Sequence, residues 1–154
     1  MLAAGDHLPP LRLPDQTDQP RTLAELAGPA GLVLFVYSRD NTAGCTTEAR
    51  EFQGLLPDYQ ALGYGVAGLS KDTPASHQKF AAKQGLTFPL LADPNTAYLR
   101  ALGAWGAKKL YGKVSEGAIR STFVAGPAGV LRLVHPKVKA AGHAAALLAL
   151  LRGA

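Results

Sequence analysis

Cysteine is nearly absent from this sequence: Cys45 is the only one among 154 residues. A lone cysteine excludes a disulfide bond within the chain, and it fits a reducing cytoplasm, where a free thiol is either buried filler or reactive. The sequence also lacks the apolar run of about 20 residues that crosses a membrane. Its N-terminus lacks the basic and apolar regions of a signal peptide. We therefore expect a cytoplasmic protein with no membrane partner.

Clustered charge and metal-ligand motifs are missing as well. The formal net charge of +5 is far from the basic footprint of a dedicated nucleic-acid binder. Trp105 near Lys108 and Lys109 could stack on nucleic acid, but a loop of solvated lysines is the preferred interpretation. No histidine has a partner at metal-ligand spacing, and His77 is predicted to pack on a helix face. No Gly-rich phosphate loop is present. We expect no nucleic-acid partner, no metal and no cofactor.

The residues that are present predict alternating strands and helices. Apolar residues make up 47% of the chain, an ordinary globular balance. The unbroken apolar run Leu32–Tyr37 predicts a strand buried on both faces. From Cys45 the apolar residues recur at helical spacing, and Pro57 is expected to kink or divide that helix. Val66–Leu69 predicts a second buried strand.

The other predicted elements complete an α/β pattern. Thr73 and Pro74 begin a helix that ends at Gly85. The remaining elements are a strand at Leu11–Leu13, one helical turn at Thr22–Leu26, a strand at Phe88–Leu91, a helix ending at Gly103, an irregular stretch around Trp105–Lys113, strands at Ala118–Val124 and Val130–Val134, and a helix at Gly142–Leu151. This order predicts one domain over residues 1–154, an α/β sandwich with a mostly parallel sheet, one antiparallel hairpin and helices on both faces.

Cys45 is the first candidate for chemistry. It lies at a strand–loop–helix junction, where free backbone N–H groups and the helix dipole favour a thiolate. Thr42, three residues earlier, can bring a hydroxyl beside the sulfur in a first helical turn. The alternative is a buried cysteine that acts as a small hydrophobic residue.

Arg120 is the second candidate. Strand alternation places Arg120, Thr122 and Val124 on one face of the predicted strand. The arginine is then either solvated at the sheet surface or buried. A buried arginine requires an anionic partner because an unpaired buried charge is costly, and a thiolate is such a partner.

The segment Phe35–Glu48 resembles the active-site segment of peroxiredoxins, most closely the bacterioferritin-comigratory-protein, or peroxiredoxin Q, branch. Further matches occur in the same order as in the family, one before this segment and the others after it: Gly5–Asp6, Gly68–Asp72, His77–Phe80, Phe88–Asp93, Lys108–Lys113, Ile119–Phe123 and Gly142–His143. The resemblance implies a thioredoxin-like three-layer sandwich with a mixed central sheet and helices on both faces. It also implies thiol-dependent reduction of hydrogen peroxide and organic hydroperoxides.

The resemblance assigns roles to individual residues. Cys45 matches the peroxidatic cysteine, and Thr42 matches the threonine whose hydroxyl binds the peroxide. Arg120 matches the arginine that favours the thiolate and polarises the O–O bond, and Glu48 matches an acidic residue that orients that arginine. Backbone N–H groups near Gly44 and Cys45 would help to stabilise the developing charge. The product on Cys45 would be a sulfenic acid.

Three positions depart from the pattern of the family. Ser38 and Ala43 replace prolines that stiffen the loop and shield the thiol, so a looser pocket is expected. The resolving cysteine is missing, both at Arg50 and in the helix around residues 75–84. The resemblance therefore implies a one-cysteine enzyme, reduced by thioredoxin, by glutaredoxin with glutathione or by another small thiol.

Two further expectations concern assembly and an alternative function. Members of this branch are often monomers, which favours a monomer over a dimer. The same departures keep open a second function, a redox-responsive binding or holdase protein with little peroxidase turnover.

Overall fold

The computed structural model describes residues 1–153, with only the backbone described at residues 108–110. The strands are β1 Arg12–Pro14, β2 Pro20–Thr22, β3 Gly31–Val36, β4 Tyr64–Ser70, β5 Leu90–Ala92, β6 Trp105–Leu110, β7 Lys113–Ala118, β8 Ser121–Ala125 and β9 Leu131–His135. The helices are α1 Leu23–Leu26, α2 Ala43–Ala61, α3 Pro74–Gln84, α4 Ala97–Leu102 and α5 His143–Arg152. Within residues 1–153, no helix combines the length and the apolarity that crossing a membrane requires.

The central sheet has five strands in the order β5-β4-β3-β8-β9. β3 lies in the middle, parallel to β4 and antiparallel to β8, and β5 is parallel to β4. All six residues of β3 are buried, which confirms the predicted burial on both faces. The predicted mixed sheet is therefore confirmed, and the chain leaves its central strand directly before the loop that leads to Cys45.

Two apolar clusters cover the two faces of this sheet. Alternate residues of β3 separate them, because Val33 and Phe35 face one cluster while Leu32 and Leu34 face the other. The first cluster draws on α2, α3 and α5, and the second on α1 and α4. Phe35 stacks on Phe52 of α2 with ring centroids 4.5 Å apart. This packing fixes α2, and the cysteine at its N-terminal end, against the central strand.

Helix α2 is continuous, so the predicted division at Pro57 is wrong. The helix runs through Pro57 for 19 residues and ends at Ala61. The proline lies on the exposed side, whereas Phe52, Leu56 and Tyr59 are buried around it. Apolar packing on both sides of the proline offsets the one backbone hydrogen bond that its ring removes.

The stretch predicted to be irregular is a β-hairpin. β6 pairs antiparallel with β7, from Trp105 opposite Ala118 to Leu110 opposite Lys113. Its two turn residues, Tyr111 and Gly112, have φ values of 52° and 76°, as two-residue hairpins require. Most of β7 is exposed, so no apolar alternation indicated a strand.

The strand predicted at Ala118–Val124 is interrupted. β7 ends at Ala118 and β8 begins at Ser121, so Arg120 lies in neither strand. The Ile119 N–H donates to the Ala104 carbonyl, and the Val138 N–H donates to the Arg120 carbonyl. Because these backbone groups bond outside the central sheet, the alternation argument for Arg120 was wrong.

Trp105 has intramolecular partners. Lys71 Nζ lies 5.9 Å from its ring centroid and the Arg100 guanidinium lies 5.4 Å from it. The indole therefore stacks on cations of its own chain. The side chains of Lys108 and Lys109 lie outside the described residues, so their solvation stays a prediction.

Candidate active site

Cys45 lies in the first turn of α2, at the end of the loop that follows β3. Thr42 is the N-cap, with an extended backbone, and the helix begins at Ala43. Backbone N–H groups in the first turn of a helix have no partner within the helix, and the helix dipole adds partial positive charge there. The cysteine side chain is nonetheless buried, with 1% of the residue exposed. The sulfur thus sits in a positive, nearly dry environment.

Four donors surround the sulfur. Arg120 Nη2 donates to Sγ at 3.1 Å, and the Ser38 hydroxyl lies 3.4 Å from it. Burial raises the pKa of the Cys45 thiol, but the hydroxyls of Ser38 and Thr42, the Arg39 N–H and the Arg120 charge together bring it below its usual value. The Thr42 proton can go either to the sulfur or to the Arg39 carbonyl, 3.1 Å away. The site therefore favours a thiolate.

Glu48 holds the other end of the Arg120 guanidinium. Arg120 Nη1 donates to Glu48 Oε1 at 2.7 Å, and Glu48 is fully buried. Its second oxygen, Oε2, has no hydrogen-bond partner within the described part of the chain. Burial raises the pKa of Glu48 to about 7, although the Arg120 charge and hydrogen bond act in the opposite direction. One guanidinium thus serves two acidic groups.

Gly44 has no side chain, and this leaves space for the Arg120 guanidinium beside the helix. A Cβ atom added at Gly44 would lie 3.2 Å from Arg120 Nη2 and 3.8 Å from the Ala140 side chain. The backbone of the first helical turn can therefore approach the arginine closely. The structure brings the predicted residues Thr42, Gly44, Cys45, Glu48 and Arg120 together in one site.

A cavity adjoins this site. It measures about 310 Å³ and is lined by Ala107, Ile119, Arg120, Lys137 and Val138. Its walls are mainly apolar, with the guanidinium at one side. A larger cavity of about 550 Å³, lined among others by Leu62, Leu133 and Leu150, includes none of the residues around the sulfur.

A buried polar network under the loop was not predicted. Asp40 accepts hydrogen bonds from the Tyr37 hydroxyl at 2.7 Å, from the Ser76 hydroxyl at 2.7 Å and from His77 Nδ1 at 2.8 Å. His77 was predicted to pack on a helix face, and it is indeed fully buried on α3. The available signal was topological: Tyr37 and Asp72 follow neighbouring parallel strands, whose carboxyl ends meet at one sheet edge.

The same network also has the composition of a metal site. Ligand atoms of Asp40, Asp72 and His77 lie within 4.8 Å of one another. Each side chain already has protein partners, because the Asp72 carboxylate accepts the Asp40 N–H at 3.0 Å and His77 Nε2 faces the Leu91 carbonyl at 2.9 Å. Hydrogen bonding accounts for the cluster without an ion.

A second buried histidine lies near the arginine. His143 Nε2 is 2.9 Å from the Thr122 hydroxyl. Burial, then His135 and the Arg120 charge, lower the pKa of His143 to about 4. The ring is therefore neutral at physiological pH and leaves the positive charge of the site to Arg120.

Comparison with known proteins identifies the family. A model of the AhpC/TSA family matches residues 4–134. The chain belongs to this family. It is 42% identical over 146 residues to a putative peroxiredoxin of Mycobacterium tuberculosis, covering 95% of this chain and 92% of that protein. It is 45% identical over 121 residues to the peroxiredoxin Bcp of Xanthomonas campestris, covering 79% and 76% of the two chains.

A solved structure confirms the fold of this peroxiredoxin. The bacterioferritin comigratory protein of Xanthomonas campestris superposes with a TM-score of 0.85 at 41% identity, covering 93% of this chain and 90% of that one. The thioredoxin-like fold and the resemblance to the Bcp, or peroxiredoxin Q, branch are thus both confirmed. Membership makes the protein a thiol peroxidase by class, and its single cysteine fits the one-cysteine type.

Proposed function

We propose that this peroxiredoxin reduces peroxides through Cys45. The observation that carries the proposal is the 3.1 Å contact between Cys45 Sγ and Arg120 Nη2 at the start of α2. The thiolate attacks one peroxide oxygen, an S–O bond forms as the O–O bond breaks, and the leaving oxygen takes the negative charge. Arg120 and the first-turn N–H groups stabilise that charge, and a proton completes water or an alcohol. The sulfur loses two electrons and becomes a sulfenic acid.

Thr42 and Glu48 have supporting roles in this proposal. The Thr42 hydroxyl is near the sulfur and can bind a peroxide oxygen, while Glu48 orients Arg120 through its 2.7 Å hydrogen bond. The neighbouring cavity of about 310 Å³ can accept the alkyl group of an organic hydroperoxide against Ile119 and Val138. The related Xanthomonas protein is described as having alkyl peroxide reduction activity.

The second half of the proposed cycle needs a thiol from outside the chain. With one cysteine, the sulfenic acid has no internal partner. An external thiol displaces water to form a mixed disulfide, and a second thiol then releases Cys45. We assign this role to thioredoxin, to glutaredoxin with glutathione or to another small thiol of the cytoplasm, with the protein acting as a monomer.

A peroxide-consumption assay tests the proposal. Wild-type protein is given hydrogen peroxide or an organic hydroperoxide with dithiothreitol, thioredoxin or glutaredoxin plus glutathione. We expect turnover with at least one donor and none above background for Cys45→Ser. Equal peroxide loss in both proteins would overturn the proposal.

The alternative, a redox-responsive binding or holdase protein, predicts a different pattern. It predicts that oxidation of Cys45 changes the binding of unfolded protein while catalytic turnover stays at the background. The hydrogen bond from Ser38 to the sulfur favours the peroxidase instead, since it adds a donor where the prolines of the family have none.

A further inference from the structure

The loop between β3 and α2 is tied to α3 through one side chain, Asp40. The loop residue is nearly buried, with 8% exposed, and its partner His77 is fully buried. His77 Nδ1 lies 2.8 Å from Asp40 Oδ2, and the Ser76 hydroxyl donates to the same oxygen at 2.7 Å. The other oxygen accepts the Tyr37 hydroxyl at 2.7 Å. Donors from the loop itself and from α3 thus converge on one carboxylate.

Both nitrogens of the His77 ring have partners. Nε2 lies 2.9 Å from the Leu91 carbonyl, and a carbonyl only accepts, so Nε2 donates. Nδ1 lies 2.8 Å from Asp40 Oδ2 and 3.3 Å from the Tyr37 hydroxyl. A buried Asp40–His77 hydrogen bond therefore joins the loop to α3, while the Nε2 contact holds the ring to β5.

The ionisation of Asp40 follows from the same contacts. Burial raises the pKa of the carboxyl, but the hydrogen bond and charge of His77, with the hydroxyls of Tyr37 and Ser76, bring it below its usual value. A buried carboxylate that loses a hydrogen-bond donor is costly, so the contact with His77 keeps Asp40 in its place.

Asp40 lies between the two residues that bring hydroxyls to the cysteine. Ser38, two residues earlier, contacts Cys45 Sγ at 3.4 Å. Thr42, two residues later, is the N-cap residue of α2, and its hydroxyl lowers the pKa of Cys45. The Asp40 N–H is also fixed, because it donates to Asp72 at 3.0 Å. The loop contains no proline between Ser38 and Ala43, so these contacts supply the constraint that its sequence lacks.

We propose that the Asp40–His77 hydrogen bond is a positioning device that holds Ser38 and Thr42 against Cys45. This assignment of Asp40 and His77 as positioning residues rests on the proposed peroxidase function. Neither residue touches the sulfur. They act through the loop, because a loop released from α3 no longer fixes the two hydroxyls or the first turn of α2.

Two substitutions of His77 separate this role from a general effect on folding. In His77→Asn the amide nitrogen takes the place of Nδ1 and can still donate to Asp40, whereas in His77→Gln it takes the place of Nε2 and donates to Leu91 instead. Both variants remove the imidazole ring and both are smaller than histidine. Gln78→Ala, at an exposed neighbouring position on α3, is the control.

The first readout is the Cys45 titration, followed by thiolate absorbance at 240 nm with Cys45→Ser as the blank. With one cysteine in the chain, the thiolate signal belongs to Cys45 alone. For His77→Gln we expect the pKa of Cys45 to rise by about 1, which lowers the thiolate fraction about tenfold at a pH below that pKa. For His77→Asn we expect a rise of less than about half that amount.

The second readout compares kcat/KM for peroxide with kcat/KM for the thiol reductant. For His77→Gln, kcat/KM for peroxide falls about tenfold while kcat/KM for the thiol reductant does not fall. A loss of folded protein would instead lower both constants by the same factor. Gln78→Ala matches the wild type in the titration and in both constants.

The outcomes decide the proposal. A folded His77→Gln with the wild-type pKa of Cys45, or equal effects of His77→Gln and His77→Asn, overturns the positioning role. If His77→Gln does not fold, Tyr37→Phe takes its place: it removes one donor to Asp40 and is expected to raise the pKa of Cys45, and an unchanged pKa overturns the proposal. The titration needs no turnover, so an inactive wild type would refute the proposed function without deciding this test.

Discussion

At the scale of single residues, Arg120 is shared between a thiolate and a carboxyl group. Its two terminal nitrogens contact Cys45 Sγ at 3.1 Å and Glu48 Oε1 at 2.7 Å. One positive charge cannot fully neutralise two buried anions. Since the pKa of Glu48 is raised to about 7 mainly by burial, the carboxyl is partly protonated near neutral pH and leaves more of the guanidinium charge for the sulfur.

Replacing Arg120 tests its effect on the thiol directly. In Arg120→Ala the sulfur loses its only charged donor among the described residues, so the pKa of Cys45 should rise. Loss of a donor to the developing charge should also slow the reaction with peroxide about 100-fold. Thiolate absorbance and stopped-flow oxidation measure the two effects, and an unchanged titration would remove Arg120 from the site.

Replacing Glu48 tests its protonation through stability. The folded-state pKa of about 7 exceeds the unfolded value of 4.5, so the contribution of neutral Glu48 is fully present below pH 4.5 and is lost as the pH rises through 7. The loss amounts to about 3 kcal/mol. Glu48→Gln cannot ionise and still accepts from Arg120, so its free energy of unfolding relative to wild type should increase between pH 4.5 and 8. Urea unfolding at several pH values measures this, and a constant difference would contradict it.

At the scale of elements, the predictable parts are those with strong local patterns. β3 was evident from six consecutive buried apolar positions, and α3 from its Thr73 cap and its end at Gly85. The β6–β7 hairpin was missed because its exposed residues carry no alternation, and the positive φ of Tyr111 leaves no mark in the sequence.

The residues of the candidate site also fall into two groups, those found from a local motif and those that depend on long-range contacts. The motif identified Thr42, Cys45 and Glu48. These residues are three apart in sequence, so the first turns of one helix bring them together. Arg120 was identified with the wrong geometry, since its position depends on backbone bonds to the segment around Val138. The Asp40–His77 pair depends on how α3 packs against the loop, and no local pattern encodes such a long-range contact.

Two glycines of α2 give a matched test at this scale. A Cβ atom at Gly54 meets nothing within 4 Å, whereas one at Gly44 lies 3.2 Å from Arg120 Nη2. Gly54→Ala should stabilise the protein by about 1 kcal/mol through helix propensity alone, with unchanged peroxidase activity. Gly44→Ala should displace the guanidinium and slow oxidation about tenfold. Equal activities of the two variants would contradict the close approach at Gly44.

At the scale of the whole molecule, the capacity for thiol oxidation is that of one cysteine. The chain carries no second cysteine, so a single oxidation exhausts it until a donor arrives. Without a reductant, each chain should consume one equivalent of peroxide quickly and then gain further oxygen only slowly, as sulfinic acid. Intact-mass spectrometry should detect additions of one and then two oxygen atoms. Fast consumption of several equivalents, retained by Cys45→Ser, would place the chemistry elsewhere.

Because only 1% of Cys45 is exposed, the size of a reactant decides whether it can reach the sulfur. A peroxide is small enough to reach the sulfur while the first turn of α2 stays wound, but a protein donor such as thioredoxin cannot bring its own sulfur within bonding distance of a buried atom. We therefore expect reduction by a protein donor to require the opening of that turn. Where opening limits the rate, different protein donors should reach the same rate at saturation, whereas small thiols should show no shared plateau. The burial of one sulfur atom would then separate large thiol donors from small ones by their kinetics.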